Sequence, residues 1–311
     1  MTRVLLTGAT GFVGRPLAAH LAATGYGVRA VVRRSPSPPL PAGVEVTLLG
    51  DLGDPIAWEP RLRAVDAVVH LAGIAHASRG IAQARYDRIN HQATAALARA
   101  AARAGVKHFV FVSSVRAQSG PAADHVLTER DAPQPSDPYG RSKLAAEAAV
   151  AAAGVPFTIL RPVLIYGPSL KGNLATLARL ASWRLPLPFG AFANRRSLLG
   201  IDNFVSAIMF VLQNPATRGE IFLLADRTPI SLAEIVAAFR HGVGRRPHLF
   251  SMPPWPMEAI ARLVGGAALW ERIRGELVVD PAKLMAAGWS PATDTKAALM
   301  KSVQAAARLT V

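Results

Sequence analysis

Tyr139 and Lys143 stand four residues apart in Pro138-Tyr-Gly-Arg-Ser-Lys143. On a helix that spacing puts both side chains on one face. An ammonium held near a phenol favours the phenolate and draws the tyrosine pKa from about 10 toward neutrality, which suits Tyr139 to give or take a proton. Upstream, an apolar run ends in Ser113-Ser114. A serine at the C-terminal end of a parallel strand lies where ligands bind, so Ser114 is placed to hydrogen-bond a substrate oxygen. Near the start of the chain, Thr7-Gly-Ala-Thr-Gly-Phe-Val-Gly14 carries Gly8, Gly11 and Gly14 between an apolar strand and a helical pattern. The first amides of a helix attract anions, and such a turn suits a pyrophosphate. Gly8 permits the sharp turn, Gly11 lets the backbone approach phosphates, and Gly14 lets the helix pack closely on the sheet.

The elements that must position these groups are legible as an alternation. Apolar runs at Val4–Thr7, Val28–Val32, Glu45–Leu49, Ala67–Leu71, Phe109–Ser113 and Thr158–Leu160 read as strands. Residues 14–24, 84–104 and 139–153 between them have helical periodicity, with Gly25, Gly105 and Gly154 where helix C-terminal glycines belong. Strand and helix in alternation predict an α/β fold with a doubly wound, Rossmann-type parallel sheet. After Pro162 the texture turns to Pro- and Gly-rich loops, including Leu185-Pro-Leu-Pro-Phe-Gly190 and Met252-Pro-Pro-Trp-Pro256. The expected organisation is a dinucleotide-binding domain over 1–165 to which 202–224 returns. A smaller, discontinuous substrate domain then comprises 166–201 and 225–311.

Composition narrows the function classes. The chain of 311 residues is 51% hydrophobic, enough for a sizeable core, and has no cysteine, hence neither disulfides nor thiolate chemistry. The net charge of +15 fits nucleic acid, an anionic surface or a small anionic ligand. Nucleic acid is set aside because the arginines (Arg61, Arg63, Arg85, Arg88, Arg99, Arg103) are dispersed, without a basic run or interleaved aromatics. Solvated arginines on helix faces, with steering of an anionic substrate, are the expected reading. The apolar stretches around 204–212 and 259–270 are too short or too interrupted to span a membrane, and the N-terminus is already in use as a strand. A cytoplasmic location with no membrane partner is expected. His70, His76 and His91 have no ligand spacing around them, so no metal is assigned.

Singly, each motif has a plain structural alternative: a surface Tyr–Lys pair, a strand-end cap at Ser114, an ordinary strand-to-helix turn. Together, Thr7–Gly14, Ser113-Ser114 and Tyr139–Lys143 resemble the extended short-chain dehydrogenase/reductases, the NAD-dependent epimerase/dehydratase group. Further resemblances are Gly50-Asp-Leu52, His70-Leu-Ala-Gly73, Asn90, Leu160–Pro168 and Asn194–Leu199 followed by Asp202. The resemblance implies Tyr139 as acid/base, Lys143 on the nicotinamide ribose, and Ser114 on the sugar oxygen. It implies Gly8, Thr10, Gly11, Phe12, Val13 and Gly14 at the pyrophosphate, and Asp51 at the adenine with Leu52 beside it. Leu71, Ala72, Gly73 and Asn90 also line the cofactor, and Pro162 walls the nicotinamide. Arg196 is implied on a substrate diphosphate, with Asn173 and Arg274 as further contacts to the same nucleotide. The second strand ends in Val31-Val32-Arg33-Arg34, where many NAD-using relatives have an acidic residue. Arg33 can hold a 2'-phosphate or lie over the adenine. The expected cofactor is therefore NAD, with NADP open.

The implied activity is a nucleotide-sugar 4-epimerase on a UDP-hexose-type substrate, working through a transient 4-keto intermediate. A 4-keto-sugar nucleotide reductase or other carbonyl reductase would use the same residues. A non-catalytic dinucleotide sensor on this fold would need none of Ser114, Tyr139 and Lys143. The expected partner is a small nucleotide-sugar, with a homodimer left open.

Overall fold

The computed structural model describes residues 1–74, 80–170, 172–253, 255–256, 258–259, 263 and 275–308. Its strands are β1 (Arg3–Thr7), β2 (Gly27–Val32), β3 (Val44–Leu48), β4 (Ala67–His70), β5 (His108–Val112) and β6 (Phe157–Pro162), then β7 (Leu164–Tyr166), β8 (Arg195–Arg196), β9 (Leu198–Gly200), β10 (Glu220–Leu224) and β11 (Ile230–Ser231). The described helices are α1 (Gly14–Ala23), α2 (Glu59–Leu62), α3 (Gln83–Tyr86), α4 (Ala93–Arg103), α5 (Pro138–Ala151), α6 (Gly172–Ala181), α7 (Ile201–Gln213), α8 (Leu232–Gly242), α9 (Ala282–Ala286) and α10 (Thr295–Arg308).

Seven strands form one sheet in the order β10-β6-β5-β4-β1-β2-β3, and every pairing in it is parallel. Strands covered on both faces need apolar side chains in both directions, and β4 and β5 are buried at every position. On one face, α1 and α7 bring Leu17, Leu21, Phe204 and Ile208 onto the sheet. On the other, α4 and α5 bring Leu97, Ala101, Ala146 and Val150. Strand β10 joins the sheet beside β6, which brings the end of the 202–224 segment back to the main sheet.

The helical pattern over 84–104 is interrupted. A wider π-type turn occupies Asp87–Gln92 between α3 and α4, and Asn90 is buried within it. Such bulges often sit at functional positions. Helix α5 starts where its sequence dictates. Pro138 takes the first turn, where no amide partner is needed, and the Asp137 carboxylate accepts from Gly140 N at 2.7 Å.

Beyond the sheet, one smaller apolar cluster joins Tyr166, Leu198, Ile230, Phe239, Leu299 and Val303, and another joins Leu187, Phe189, Phe192 and Val236. Asp226, just after β10, is buried. It accepts from Tyr166 Oη at 2.9 Å, Gly200 N at 3.0 Å and Asn203 Nδ2 at 2.7 Å, which ties β7, β9 and α7 to the edge of the main sheet.

Candidate active site

From β1 the chain runs outward to β2 and β3, then returns to β4 on the other side of β1. At such a reversal the loops leaving neighbouring strands diverge and open a crevice at the C-terminal edge. The glycine turn after β1, the Leu71–Gly73 segment after β4 and Ser113-Ser114 after β5 all lie at that edge.

Gly8 has φ +73°, and a Cβ there would lie 2.9 Å from Ala72 N, so the turn and the neighbouring loop both require glycine. A Cβ on Gly14 would lie 2.1 Å from Gly8 O, which makes that glycine the closure between helix start and turn. Gly11 differs. Its added Cβ would have a single neighbour within 4 Å, Gly8 O at 3.1 Å, and Thr10 and Gly11 are exposed, with Phe12 and Val13 half-buried. The turn is thus built and leaves an open cradle at Gly11. No acidic residue occupies the first turn of α1, which preserves its positive end.

A chain of buried hydrogen bonds ties this turn to α5. Thr7 Oγ1 accepts from Ala72 N at 3.2 Å and meets His70 Nδ1 at 2.7 Å; His70 Nε2 meets Thr94 Oγ1 at 2.9 Å. Thr94 donates its proton to Asn90 O at 2.6 Å. His70 must therefore donate through Nε2 and accept through Nδ1. Burial holds its pKa down at about 3, with the Lys143 charge adding in the same direction, so the ring is neutral. Asn90 continues the chain: Oδ1 accepts from Ile74 N at 2.7 Å, and Nδ2 donates to Ile74 O and to Ser142 Oγ, each at 3.1 Å. Ser142 Oγ donates to Tyr139 O at 2.7 Å.

The structure brings Ser114, Tyr139 and Lys143 together. Ser114 is buried at the head of a short 3₁₀ turn, Val115–Ala117, and its side chain hydrogen-bonds the Tyr139 phenol. Tyr86 packs edge-on against the Tyr139 ring at 6.0 Å. The phenol's pKa is pushed up to about 12, by burial first and then by Asp137 and Tyr86, while the Ser114 hydrogen bond and the Arg116 charge pull it down. This differs from the sequence expectation of a phenol assisted by Lys143. That ammonium instead donates to Val112 O at 2.9 Å and lies 4.7 Å over the Phe111 ring, and burial brings its pKa down to about 8.

Asp51 is exposed, with Oδ1 accepting from Gly53 N at 2.8 Å, and borders a cleft of about 570 Å³ shared with Ala84, Arg88 and Ile89. Leu52 buries its side chain in the core. Leu71 and Ala72 are half-buried at the end of β4, and a Cβ on Gly73 would lie 2.8 Å from Asn90 Oδ1 and 3.9 Å from Lys143 Nζ. Pro162 is buried at the end of β6, paired with Leu224. Arg33 is exposed just past β2. Asn173 is exposed in the first turn of α6. Arg196 is half-buried on β8, and burial lowers its pKa. Arg274 lies outside the described residues.

Three supporting residues escaped the sequence reading. Arg116 NH2 donates to Asp137, the N-cap of α5, in a largely buried ion pair. Glu147, one turn beyond Lys143, accepts from Ser113 Oγ and from Arg161 NH2 at 2.6 Å, deep in the core. Asp137 before Pro138 carries a readable helix-start signal, and Glu147 falls on the face of Tyr139 and Lys143. Nothing in the sequence near Arg116 marks its partner.

A doubly wound parallel sheet with an open glycine cradle and a Ser–Tyr–Lys set at its C-terminal edge defines a dinucleotide-using enzyme of the short-chain dehydrogenase type. The chain belongs to the NAD dependent epimerase/dehydratase family, whose model matches residues 4–225. It is 32% identical over 313 aligned residues to the UDP-glucose 4-epimerase of Vibrio cholerae, covering 97% of this chain and 94% of that protein. It is 32% identical over 253 residues to the ceramide reductase of Caulobacter vibrioides (strain NA1000 / CB15N), covering 80% and 73%. The solved structure of MoeE5 in complex with UDP-glucose and NAD is similar over 99% of this chain and 100% of that chain, with TM-score 0.79 and 27% identity.

Proposed function

We propose that this enzyme is a nucleotide-sugar 4-epimerase acting on a UDP-hexose-type substrate. The observation that carries the reading is the Ser114–Tyr139 hydrogen bond at the sheet edge, beside a glycine turn left open at Gly11. The relatives named UDP-glucose 4-epimerase and the UDP-glucose complex of MoeE5 support the substrate class.

The residues present fit a dinucleotide. Gly11 and the start of α1 would hold the pyrophosphate, Asp51 the adenine, and Lys143 the nicotinamide ribose. NAD, when bound, supplies reversible hydride transfer. The protein's own work is proton handling and orientation. Ser114 Oγ would hold the sugar 4-oxygen, and Tyr139 Oη, once ionised, would take its proton as the carbon is oxidised. Tyr139 returns the proton once the ketone has presented its opposite face and been reduced. Lys143 would fix the ribose, and its positive charge, brought toward the phenol, would favour the ionised form of Tyr139. The unit formed by 166–201 and 225–311 would close over the nucleotide, with Arg196 and Asn173 toward its diphosphate.

A one-way carbonyl reductase is the second reading, favoured by exposed Arg33 and Arg34 beyond β2 and by similarity to a ceramide reductase. Native mass spectrometry of the purified protein, followed by incubation with a panel of UDP-sugars, separates the two. Retained NAD with interconverted epimers supports the epimerase. Reduced product formed with stoichiometric release of oxidised cofactor supports the reductase. Bound cofactor without turnover of any sugar or carbonyl would sink both.

A further inference from the structure

Arg240 on α8 is fully buried, an expensive place for a guanidinium. Its NH2 and NH1 donate to the carbonyls of Trp183 and Leu185, at 3.1 and 3.0 Å. The buried charge thus pins the backbone of a tip, Trp183-Arg184-Leu185, whose own side chains face outward: Trp183 is 51% and Leu185 66% exposed. The chain beyond this tip runs beside 248–250, with Leu187 N donating to His248 O at 3.0 Å and Phe250 N to Leu187 O at 3.1 Å. Phe250 is 45% exposed, and Trp255, a few residues on, 72%. Isolated exposed leucines are ordinary, but an exposed Trp183 and Leu185 next to a segment that exposes Phe250 are not isolated.

The charge along the Trp183–Leu185 tip and its neighbour 245–250 has one sign, and the nearest acidic residue in sequence to Trp255 is Glu258, one turn on. The sequence holds no acidic residue between Glu147 and Asp202, nor between Glu234 and Glu258. Arg179, Arg184 and Arg246 are exposed on these segments, and no described carboxylate pairs with any of them. Indole rings and arginines together suit the boundary of a bilayer, where the rings enter the headgroup level and the guanidiniums meet lipid phosphates. We propose that the Trp183–Leu185 tip, with Phe250 and Trp255, docks this enzyme on an anionic phospholipid surface. No described helix is long and apolar enough to cross a membrane, and this docking requires none.

The test is co-sedimentation of the full-length protein with vesicles of phosphatidylcholine alone, or of phosphatidylcholine with about one third phosphatidylglycerol, at low and high salt. Binding to the anionic vesicles alone, released by salt, is expected. The triple variant Trp183→Ser/Leu185→Ser/Phe250→Ser changes only exposed side chains, and circular dichroism and thermal melting check its fold. It should lose at least about tenfold in vesicle affinity. Arg184→Ala/Arg246→Ala should weaken anionic binding alone. Absence of parent binding at low salt overturns the proposal, as does binding that the apolar variant leaves unchanged. Sedimentation velocity gives a third overturning result: a parent dimer that the triple variant converts to monomer makes this face a contact between copies. None of these readouts involves turnover, so the proposal stands or fails apart from the epimerase reading.

Discussion

Arg116, two residues after Ser114, reaches Asp137, two residues before Tyr139, and the ion pair joins the segments that carry Ser114 and Tyr139. The remaining Nε and NH1 of Arg116 are buried without hydrogen-bond partners. Such a pair is poor value as a source of stability, since desolvation offsets its attraction. Its position accounts for it better: Asp137 caps α5 one residue before Pro138, and both charges act on the phenol.

The two charges act in opposite senses, which gives a signature. Arg116 favours the phenolate and Asp137 opposes it. Arg116→Met should move the Tyr139-dependent limb of the pH–rate profile to higher pH, and Asp137→Asn, which still caps the helix, should move it lower. Profiles that shift the same way, or not at all, would show that the pair serves packing only.

Tyr139→Phe removes one hydroxyl and should leave the fold and NAD affinity intact, while turnover drops by about a hundredfold or more. A variant that matches the parent on its substrate removes Tyr139 from proton transfer.

The glycines of the turn should separate. Gly11→Val fills the open cradle, so the protein should fold and fail to bind NAD in a titration. Gly14→Ala forces a Cβ against Gly8 O and should cost about 1–3 kcal/mol of stability in denaturant unfolding. Equal NAD binding by folded Gly11→Val and parent would place the pyrophosphate elsewhere.

His70 makes stability depend on pH. Its pKa, near 6.5 in the unfolded chain, sits at about 3 in the folded one, so the unfolded state takes up a proton the native state refuses. That contribution is complete above pH 6.5 and falls away as pH drops toward 3. His108, held down at about 4 by burial, acts with the same sign. His70→Asn should flatten the slope of unfolding free energy between pH 6.5 and 4 by up to one proton's worth. An unchanged slope would mean that the ring is not the neutral link between Thr7 and Thr94.

Arg196→Ala should raise the KM for a UDP-sugar by roughly ten- to a hundredfold, as for loss of charge-assisted bonds of about 1.5–3 kcal/mol, and leave NAD affinity unchanged. Added salt should mimic the substitution weakly. Unaltered kinetics on every active sugar nucleotide would remove Arg196 from the diphosphate and favour the simple carbonyl reductase.

Local chemistry made much of this legible in the chain itself. Strand and helix periodicities, each set by nearest neighbours, located six strands of the sheet, and the seventh, β10, lies within the 202–224 segment expected to return to it. Gly8, with its positive φ, and the four-residue spacing of Tyr139 and Lys143 are equally local. Tertiary structure decided what depends on partners distant in sequence. It turned Lys143 toward Val112 O, desolvated the half-buried Tyr139 so that its pKa rises rather than falls, and broke the helix at Asn90 so that one amide reaches both Ile74 and Ser142. Arg116 meets Asp137, and Glu147 meets Ser113 and Arg161, only because β5, β6 and α5 pack together. Hydrophobic periodicity says which face of a helix is buried, but carries no record of which charge on another element will be waiting there.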